Sequence, residues 1–259
     1  MLSLRRTRSR ATSYLHRFFA SKSEDLPDRC ENIVIGGGII GSSIAYHLAK
    51  MGKDVLLLER DTVTSGTTWH AAGLMVTFGS LSETSTELRK YSKELYSNLE
   101  QETGQSTGIK KCGFIEVATS QDRLEEFRRV AAFNRYCGVD VEEISASEVE
   151  SLFPLAKTDD IVAGFYVPDD GRVNPVDVTM ALIKGAKMYG AKIKEGVSVK
   201  TTTQTNGRVN GVVRGVRARE IFKHIAHILR TILYHCTLEY NKYCLYCSRR
   251  SLNSNVTKY

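Results

Sequence analysis

The 259-residue sequence has no long apolar segment. No run of 18 apolar residues occurs, so we predict that the chain has no transmembrane helix and no membrane partner. The first 23 residues also lack the unbroken apolar core that a secretory signal peptide needs. The sequence therefore points away from membrane insertion and secretion.

The central part of the chain lacks an excess of basic side chains, although the whole chain carries a net charge of +7. Residues 24–213 contain 21 basic and 27 acidic side chains, whereas residues 214–259 contain nine basic and two acidic ones. A nucleic-acid-binding domain carries a basic patch or stripe, and the central segment shows none. We therefore predict no nucleic-acid partner.

The N-terminal segment has a composition of its own. Residues 1–23 contain six basic and no acidic side chains, and they are rich in arginine and serine. This composition is typical of a mitochondrial presequence, and a disordered basic tail is the alternative. We predict a presequence over residues 1–23 and localisation in the mitochondrial matrix, where Cys30, Cys112 and Cys137 would stay free thiols.

A β–α–β pattern occupies residues 32–58. Between its first strand and its helix, Gly36, Gly38 and Gly41 form a G-x-G-x-x-G motif. The first glycine permits a tight turn, the second lets the backbone approach a pyrophosphate, and the third lets the helix pack on the strand. Glu59 follows the second strand, where a carboxylate accepts hydrogen bonds from a ribose diol. The pattern predicts a dinucleotide site on a parallel sheet, without separating NAD from FAD.

The loop after the second strand is made of small residues. Gly66, Thr67 and Thr68 are small and polar enough to wrap a pyrophosphate, and Trp69 adds a flat apolar face. His70 follows, and its small neighbours leave the imidazole uncrowded. From the residues alone, such a histidine is more often an ordinary loop residue than a cofactor ligand.

The sequence from residue 82 to residue 213 predicts helices and strands separated by clear turns. The predicted helices are residues 82–102, capped by Ser82 or Thr84, residues 121–137, capped by Ser120, a short helix opened by a Ser145/Glu148 capping box, and residues 176–189. The predicted strands are residues 113–118, 161–167, 192–200 and 208–213, with an Asn206-Gly207 hairpin turn before the last.

Six segments carry a resemblance to a known family: residues 35–41, 57–60, 66–74, 99–104, 152–155 and 166–171. Through them, residues 31–213 resemble the FAD-dependent oxidoreductases of the sarcosine and dimethylglycine dehydrogenase family. The Gly-Thr-Thr-Trp-His and Val-Pro-Asp-Asp-Gly sequences favour the sarcosine dehydrogenase branch of that family.

The resemblance implies an α/β fold, in which a Rossmann-like FAD-binding domain carries an inserted α+β substrate-domain fragment. The FAD-binding domain would comprise residues 31–80 and residues 174–213, and the substrate-domain fragment residues 81–173. The resemblance ends abruptly near residue 213. We therefore expect the C-terminal part of the fold to be missing and residues 214–259 to be an aberrant basic tail.

The tail contains histidine and cysteine, so a metal site is the alternative interpretation. Cys244 and Cys247 form a C-x-x-C motif, but no second pair follows at the spacing of a zinc finger. We therefore predict no metal site.

The resemblance also implies a set of cofactor-binding residues. In that family the histidine at the position of His70 is bonded covalently to the 8α-methyl carbon of the flavin, so we expect covalent FAD at His70. For Arg60 and Val199, a surface charge and a core strand residue are equally good interpretations. The expected FAD-binding residues are Gly36, Gly38, Ile39, Ile40 and Gly41 at the pyrophosphate, Glu59 and Arg60 at the adenosine ribose, Gly66, Thr67, Thr68, Trp69, His70, Ala71, Ala72, Gly73 and Leu74 along the flavin, and Val199 at the adenine.

The implied reaction is oxidative N-demethylation of a small N-methyl amino acid, sarcosine or dimethylglycine. A hydride would pass from the N-methyl carbon to the flavin, and an electron-transfer flavoprotein would receive the electrons. Folate would bind only in the missing C-terminal region. No catalytic base is assigned, because the substrate-binding residues of the family lie mostly beyond the matching segment, and we expect turnover to be weak or absent.

Two other interpretations stay open. One is a non-catalytic relative resembling the regulatory subunit of pyruvate dehydrogenase phosphatase, which residues 99–104 and 121–124 fit well. That relative lacks the histidine at the position of His70, so His70 favours the enzyme. The other is an incomplete product with no function of its own.

Overall fold

The structure is a computed structural model that describes residues 26–214. The predicted presequence, and the predicted tail apart from Arg214, lie outside the described residues. The helices are α1 (Ile39–Lys50), α2 (Glu83–Thr103), α3 (Gln121–Tyr136), α4 (Ala146–Leu152) and α5 (Pro175–Met188). The strands are β1 (Asn32–Ile35), β2 (Val55–Leu58), β3 (Leu74–Met75), β4 (Phe114–Ala118), β5 (Glu142–Ile144), β6 (Ala163–Val167), β7 (Gly171–Arg172), β8 (Lys192–Lys194), β9 (Val199–Thr205) and β10 (Arg208–Arg214).

A parallel sheet holds the glycine motif. Its strand order is β1-β2-β8, and both pairings are parallel. All four residues of β2 are buried, as a strand that is covered on both faces requires. The predicted β–α–β unit is thus present, and a strand from the far end of the described chain extends its sheet.

Helices α1 and α5 pack together on one face of this sheet. Asn174 caps α5, because its side-chain oxygen accepts hydrogen bonds from the N–H groups of Val176 and Asp177. Gly185 allows the close approach of the two helices, since a Cβ there would lie 2.8 Å from the ring of Tyr46. Tyr46 is fully buried in the resulting core.

An antiparallel hairpin, β9–β10, covers the other face. Val212 packs there with Ile33, Leu56 and Leu58, all of them buried. The predicted hairpin turn is confirmed, because Asn206 and Gly207 both have positive φ, at 51° and 74°.

One strand prediction is wrong. Residues 192–200 were expected to form a single strand, but β8 ends at Lys194 and β9 begins at Val199. Gly196 has a φ of +70° and turns the chain between them. The N–H of Val197 then donates to the carbonyl oxygen of Glu59, so this turn is fastened to the end of β2.

A second, antiparallel sheet has the strand order β4-β6-β5. Helix α3 packs on it through Leu124, Phe127, Val130 and Ala131, which are buried as their spacing predicts. Ser120 caps α3, and Ser145 and Glu148 form the predicted capping box of α4. Phe78, Phe127 and Phe165 form the centre of this core, with ring centroids 5.6–5.9 Å apart.

Helix α2 begins after the predicted cap Ser82 and ends at Gly104, whose φ is +63°. Leu99 is fully buried, whereas Leu88 and Tyr91, nearer the start of the helix, are about half exposed. Among residues 26–214, no helix combines the length and the apolar character needed to cross a membrane. The described chain has the predicted α/β class, and its cysteines Cys30, Cys112 and Cys137 are free thiols, as predicted.

Candidate functional site

The turn from β1 to α1 brings the glycine motif to the end of the parallel sheet. Gly36 has a φ of +106°, which an L side chain rarely adopts, and its N–H donates to the carbonyl oxygen of Leu58 over 2.8 Å. A Cβ on Gly41 would overlap with the carbonyl oxygen of Gly36. Glycine at these two positions therefore lets the helix begin directly above the strand end, and a helix N-terminus is a favourable place for an anion.

Glu59 is held at this turn by two backbone donors. Its Oε2 accepts a hydrogen bond from the N–H of Gly37 at 2.6 Å, and its Oε1 accepts one from the N–H of Asp61 at 2.9 Å. A carboxylate has about four lone-pair sites, so both oxygens retain capacity for ligand hydroxyls. A Cβ on Gly37 would lie 3.1 Å from the Cβ of Glu59, which explains why glycine stands there. Sequence reasoning missed this role of Gly37.

A 3₁₀ turn, Thr67–His70, lies beside the same helix end. Thr68 is only 5% exposed, and its Oγ1 accepts a hydrogen bond from the N–H of Ile39 at 3.0 Å. Trp69 is 58% exposed, and His70 is exposed as well. The two rings are in contact, with their centroids 3.7 Å apart and their planes tilted by 33°, so the indole supports the imidazole at the surface.

The segment after the 3₁₀ turn is fastened to the start of α5. The N–H of Val173 donates to the carbonyl oxygen of Gly73, and a Cβ on Gly73 would overlap with the carbonyl oxygen of Val173. Ala71 and Ala72 are exposed between the two fixed points, and Leu74 opens β3 with its side chain exposed. The chain from residue 66 to residue 74 therefore runs along the surface beside the helix end.

The residues of this region fit a bound dinucleotide. A Cβ built at Gly66 would have no neighbour within 4 Å, so there is open space beside the turn. Ile40 at the start of α1, and Trp69 and Leu74 on the segment after β2, have large apolar side chains that are more than half exposed. An apolar ring system would cover such side chains, and the helix end and Glu59 would meet the polar groups of a dinucleotide.

Two predicted residues lie apart from this cluster of contacts. Arg60 is exposed, and its Nε lies 3.3 Å from Oδ2 of Asp61 in a surface ion pair. Val199 is partly buried and packs on the core under the β9–β10 hairpin. Arg60 therefore has the surroundings of a surface charge, and Val199 has those of a core strand residue.

The fold is that of a known family. The family described as FAD dependent oxidoreductase matches residues 32–228. This chain belongs to that family. The predicted resemblance to the sarcosine and dimethylglycine dehydrogenases is confirmed by sequence relatives of this oxidoreductase domain.

Dimethylglycine dehydrogenase of Rattus norvegicus is 39% identical over 216 residues, which cover 76% of this chain and 25% of that protein. Sarcosine dehydrogenase of Homo sapiens is 37% identical over 197 residues, 73% of this chain and 21% of that protein. The pyruvate dehydrogenase phosphatase regulatory subunit of Mus musculus is 39% identical over 188 residues, 72% of this chain and 21% of that protein. The oxidoreductase chain thus spans about a quarter of the length of these relatives.

A solved structure shares the fold of this FAD-dependent oxidoreductase domain. L-proline dehydrogenase from P. horikoshii superposes with a TM-score of 0.71 at 27% identity. The match covers 83% of this chain and 57% of that one. The predicted Rossmann-like fold of an FAD oxidoreductase is therefore confirmed.

Proposed function

We propose that this chain binds FAD at the β1–α1 turn and takes part in the oxidation of a small N-methyl amino acid. One observation carries the proposal. The N-terminal end of α1, the carboxylate of Glu59 and the turn that bears His70 are joined by direct hydrogen bonds through Gly37 and Ile39. A dinucleotide needs an anion site, a ribose acceptor and a surface for its ring system, and these three elements supply them.

Each element has its own role in the proposal. Glu59 accepts hydrogen bonds from the adenosine ribose, and the free N–H groups at the start of α1 face the pyrophosphate. The segment from Gly66 to Leu74 lines the flavin through its exposed residues, whereas the side chain of Thr68 is buried. In the same proposal Arg60, which pairs with Asp61 at the surface, contacts the ribose, and Val199, which packs under the β9–β10 hairpin, contacts the adenine.

We further propose that His70 carries the flavin covalently. What supports this is the exposed imidazole, which small residues flank on its C-terminal side and which Trp69 supports from the other side. Bound FAD supplies a two-electron acceptor for the carbon next to the amine nitrogen. The chain's own part is to hold that cofactor in one place and orientation.

The substrate and the cellular setting follow from the relatives alone. The chain spans about a quarter of the length of these relatives. We propose sarcosine or dimethylglycine as the substrate of the complete activity. Transfer of electrons to an electron-transfer flavoprotein, folate binding outside this chain, and localisation in the mitochondrial matrix belong to the same proposal. Relatives named as mitochondrial enzymes support the localisation.

The division of the chain is also a proposal. We assign residues 31–80 and 174–213 to an FAD-binding domain and residues 81–173 to a substrate-domain fragment. The parallel sheet supports this division, because β8 from the later segment pairs with β2 from the earlier one. The antiparallel β4-β6-β5 sheet lies entirely within the assigned fragment.

The test is whether flavin fluorescence stays on the denatured chain in a gel. The 259-residue protein should show a fluorescent band, and His70→Ala should lose it while still releasing free FAD on denaturation. His47→Ala is the matched control, because His47 is engaged by Tyr91 on the side of α1 and should keep its covalent flavin. A fluorescent band that persists in His70→Ala would disprove the covalent assignment.

A second candidate function is supported by the likeness to the phosphatase regulatory subunit. In that case the chain acts as a non-catalytic partner and carries no covalent flavin. The same gel separates the two candidates, since a dark band for the unaltered protein favours the regulatory role. The absence of any bound FAD, covalent or free, would remove the proposed oxidoreductase function altogether.

A further inference from the structure

Thr68 differs from its neighbours in where its side chain lies. Trp69 and His70 on one side and Thr67 on the other are exposed, whereas Thr68 is 5% exposed. Its hydroxyl oxygen accepts the hydrogen bond from the N–H of Ile39, the first residue of α1. The side chain therefore faces the protein and leaves only its neighbours to face a cofactor.

This bond satisfies one backbone donor at the start of α1, which has no side-chain cap. Gly38 stands at the N-cap position and has no side chain to accept a hydrogen bond from the first turn. Thr68 supplies an acceptor for the first helical N–H, that of Ile39, from 29 residues further along the chain. The close approach depends on the glycine, because a Cβ on Gly38 would lie 3.2 Å from Oγ1 of Thr68.

The bond also determines which N–H groups at the helix end stay available to a phosphate. The N–H of Ile39 is engaged by Thr68, so it is not free for a phosphate while this bond stands. Ile40 and Gly41 follow in the first turn, where N–H groups have no partner four residues earlier in the helix. The turn that bears His70 is thus fixed to the helix end at Thr68, and the segment after it is fixed to Val173 at Gly73.

We propose that Thr68 is a positioning residue that joins the flavin-facing turn to the phosphate-facing end of α1. The proposal rests on the proposed FAD function. Its hydroxyl acts on Ile39, and through the 3₁₀ turn it sets where Trp69 and His70 lie. The site thereby gains affinity for the flavin half of the cofactor and not for the adenosine diphosphate half.

Comparing the affinities for ADP and for FAD distinguishes the adenosine diphosphate half of the site from the flavin half. ADP would reach only Glu59 and the helix end, whereas FAD would also reach the turn. The measurements use the full 259-residue chain with His70→Ala in every variant, so that the flavin binds reversibly. Thr68→Val keeps the shape and removes the hydroxyl, Thr68→Ser keeps the hydroxyl, and Thr68→Ala serves if the valine variant does not fold.

Thr68→Val should bind FAD roughly 3- to 10-fold more weakly, the range expected for the loss of one hydrogen bond. Its ADP affinity should stay within about twofold, because the N–H of Ile39 becomes available to the phosphates. Thr68→Ser should bind both ligands like the chain with threonine. In the unliganded Thr68→Val chain, hydrogen exchange at the Ile39 amide should be faster.

An equal loss of FAD and ADP affinity, or no loss of either, would overturn the inference. So would a serine variant as weak as the valine one, since the hydroxyl would then be irrelevant. These results leave the proposed function intact, because FAD still binds the chain with threonine. If that chain binds neither FAD nor ADP, the proposed function fails, and the inference fails with it.

Discussion

The carboxylate of Asp170 accepts two hydrogen bonds from Thr77, one from its N–H at 2.7 Å and one from its hydroxyl at 2.8 Å. Both side chains are buried, and Nζ of Lys93 lies 3.3 Å from Oδ1 of Asp170. The contact joins the chain that follows residues 66–74 to the turn before β7 and to helix α2. A buried carboxylate with these partners is compensated, but it depends on each of them.

Asp170→Asn should lower the free energy of unfolding by about 3 kcal/mol. It removes the ion pair with Lys93, and it places the amide NH₂ group of asparagine near groups that are themselves donors, those of Thr77 and Lys93. Urea unfolding of the full chain measures this change. Asp169→Asn is the matched control, since Asp169 is exposed, and it should stay within about 0.5 kcal/mol of the unaltered chain. Equal stability of the two variants would show that the buried carboxylate does not hold these segments together.

Local signals were enough to predict much of the fold. The Ser145/Glu148 capping box and the Asn206-Gly207 turn act within a few residues, so the sequence alone contains their partners. The glycine motif could be placed for the same reason. The failed strand at residues 192–200 is instructive, because its alternation continues through Gly196, and the alternation alone does not show where the chain turns.

The sequence indicated candidate site residues but not the contacts between them. Thr68 was assigned to the flavin surface, but its hydroxyl lies against Ile39. Asp170 and Thr77 are 93 residues apart, and no local pattern pairs them. Contacts of this kind depend on how separate segments pack, which propensity and periodicity do not encode.

Gly41 and Ser42 are adjacent in α1, and substitution of each by alanine should affect stability differently. Gly41→Ala should lower the free energy of unfolding by about 2 kcal/mol, because its Cβ would overlap with the carbonyl oxygen of Gly36. Ser42 is buried, and its hydroxyl has no hydrogen-bond partner within the described residues. Ser42→Ala should therefore be neutral or slightly stabilising. Thermal unfolding of both variants checks this, and a tolerated Gly41→Ala would mean that α1 does not start so close to β1.

Glu59 and Arg60 are adjacent as well, and they should differ in their effect on the cofactor. Glu59→Gln should weaken FAD binding about 10-fold, since a charged acceptor at the ribose is lost. Arg60→Met should change FAD affinity by less than about twofold, because Arg60 is exposed and pairs only weakly with Asp61. Titration of flavin fluorescence in a His70→Ala background measures both. A large effect of Arg60→Met would instead support the predicted contact of Arg60 with the ribose.

A cluster of side chains where α1, α2 and α5 meet should govern part of the pH dependence of stability. Glu102 Oε1 accepts hydrogen bonds from the hydroxyls of Tyr46 at 2.7 Å and Tyr189 at 2.9 Å, and Lys50 Nζ donates to its Oε2 at 3.0 Å. Burial by itself raises the pKa of Glu102, but these donors outweigh it and lower the pKa below 4.5. Burial raises the pKa of Tyr46 to about 12, in spite of the hydrogen bond from Lys50.

The two shifts act at opposite ends of the pH scale. Because the pKa of Glu102 is lowered on folding, its contribution is complete above about pH 5 and is lost as the pH falls through the folded pKa. Because the pKa of Tyr46 is raised on folding, its contribution is complete below its ordinary pKa of 10.0 and is lost between about pH 10 and 12.

Glu102→Gln should therefore destabilise the chain at pH 7 by no more than about 1 kcal/mol, since Lys50 is partly exposed, and the difference from the unaltered chain should shrink towards pH 3. Urea midpoints measured from pH 3 to pH 8 give the difference directly. Glu100→Gln is the matched control, because Glu100 lies on the exposed side of α2, and its curve should run parallel to that of the unaltered chain. A difference for Glu102→Gln that stays constant down to pH 3 would mean that the carboxylate of Glu102 is not stabilised in its charged form.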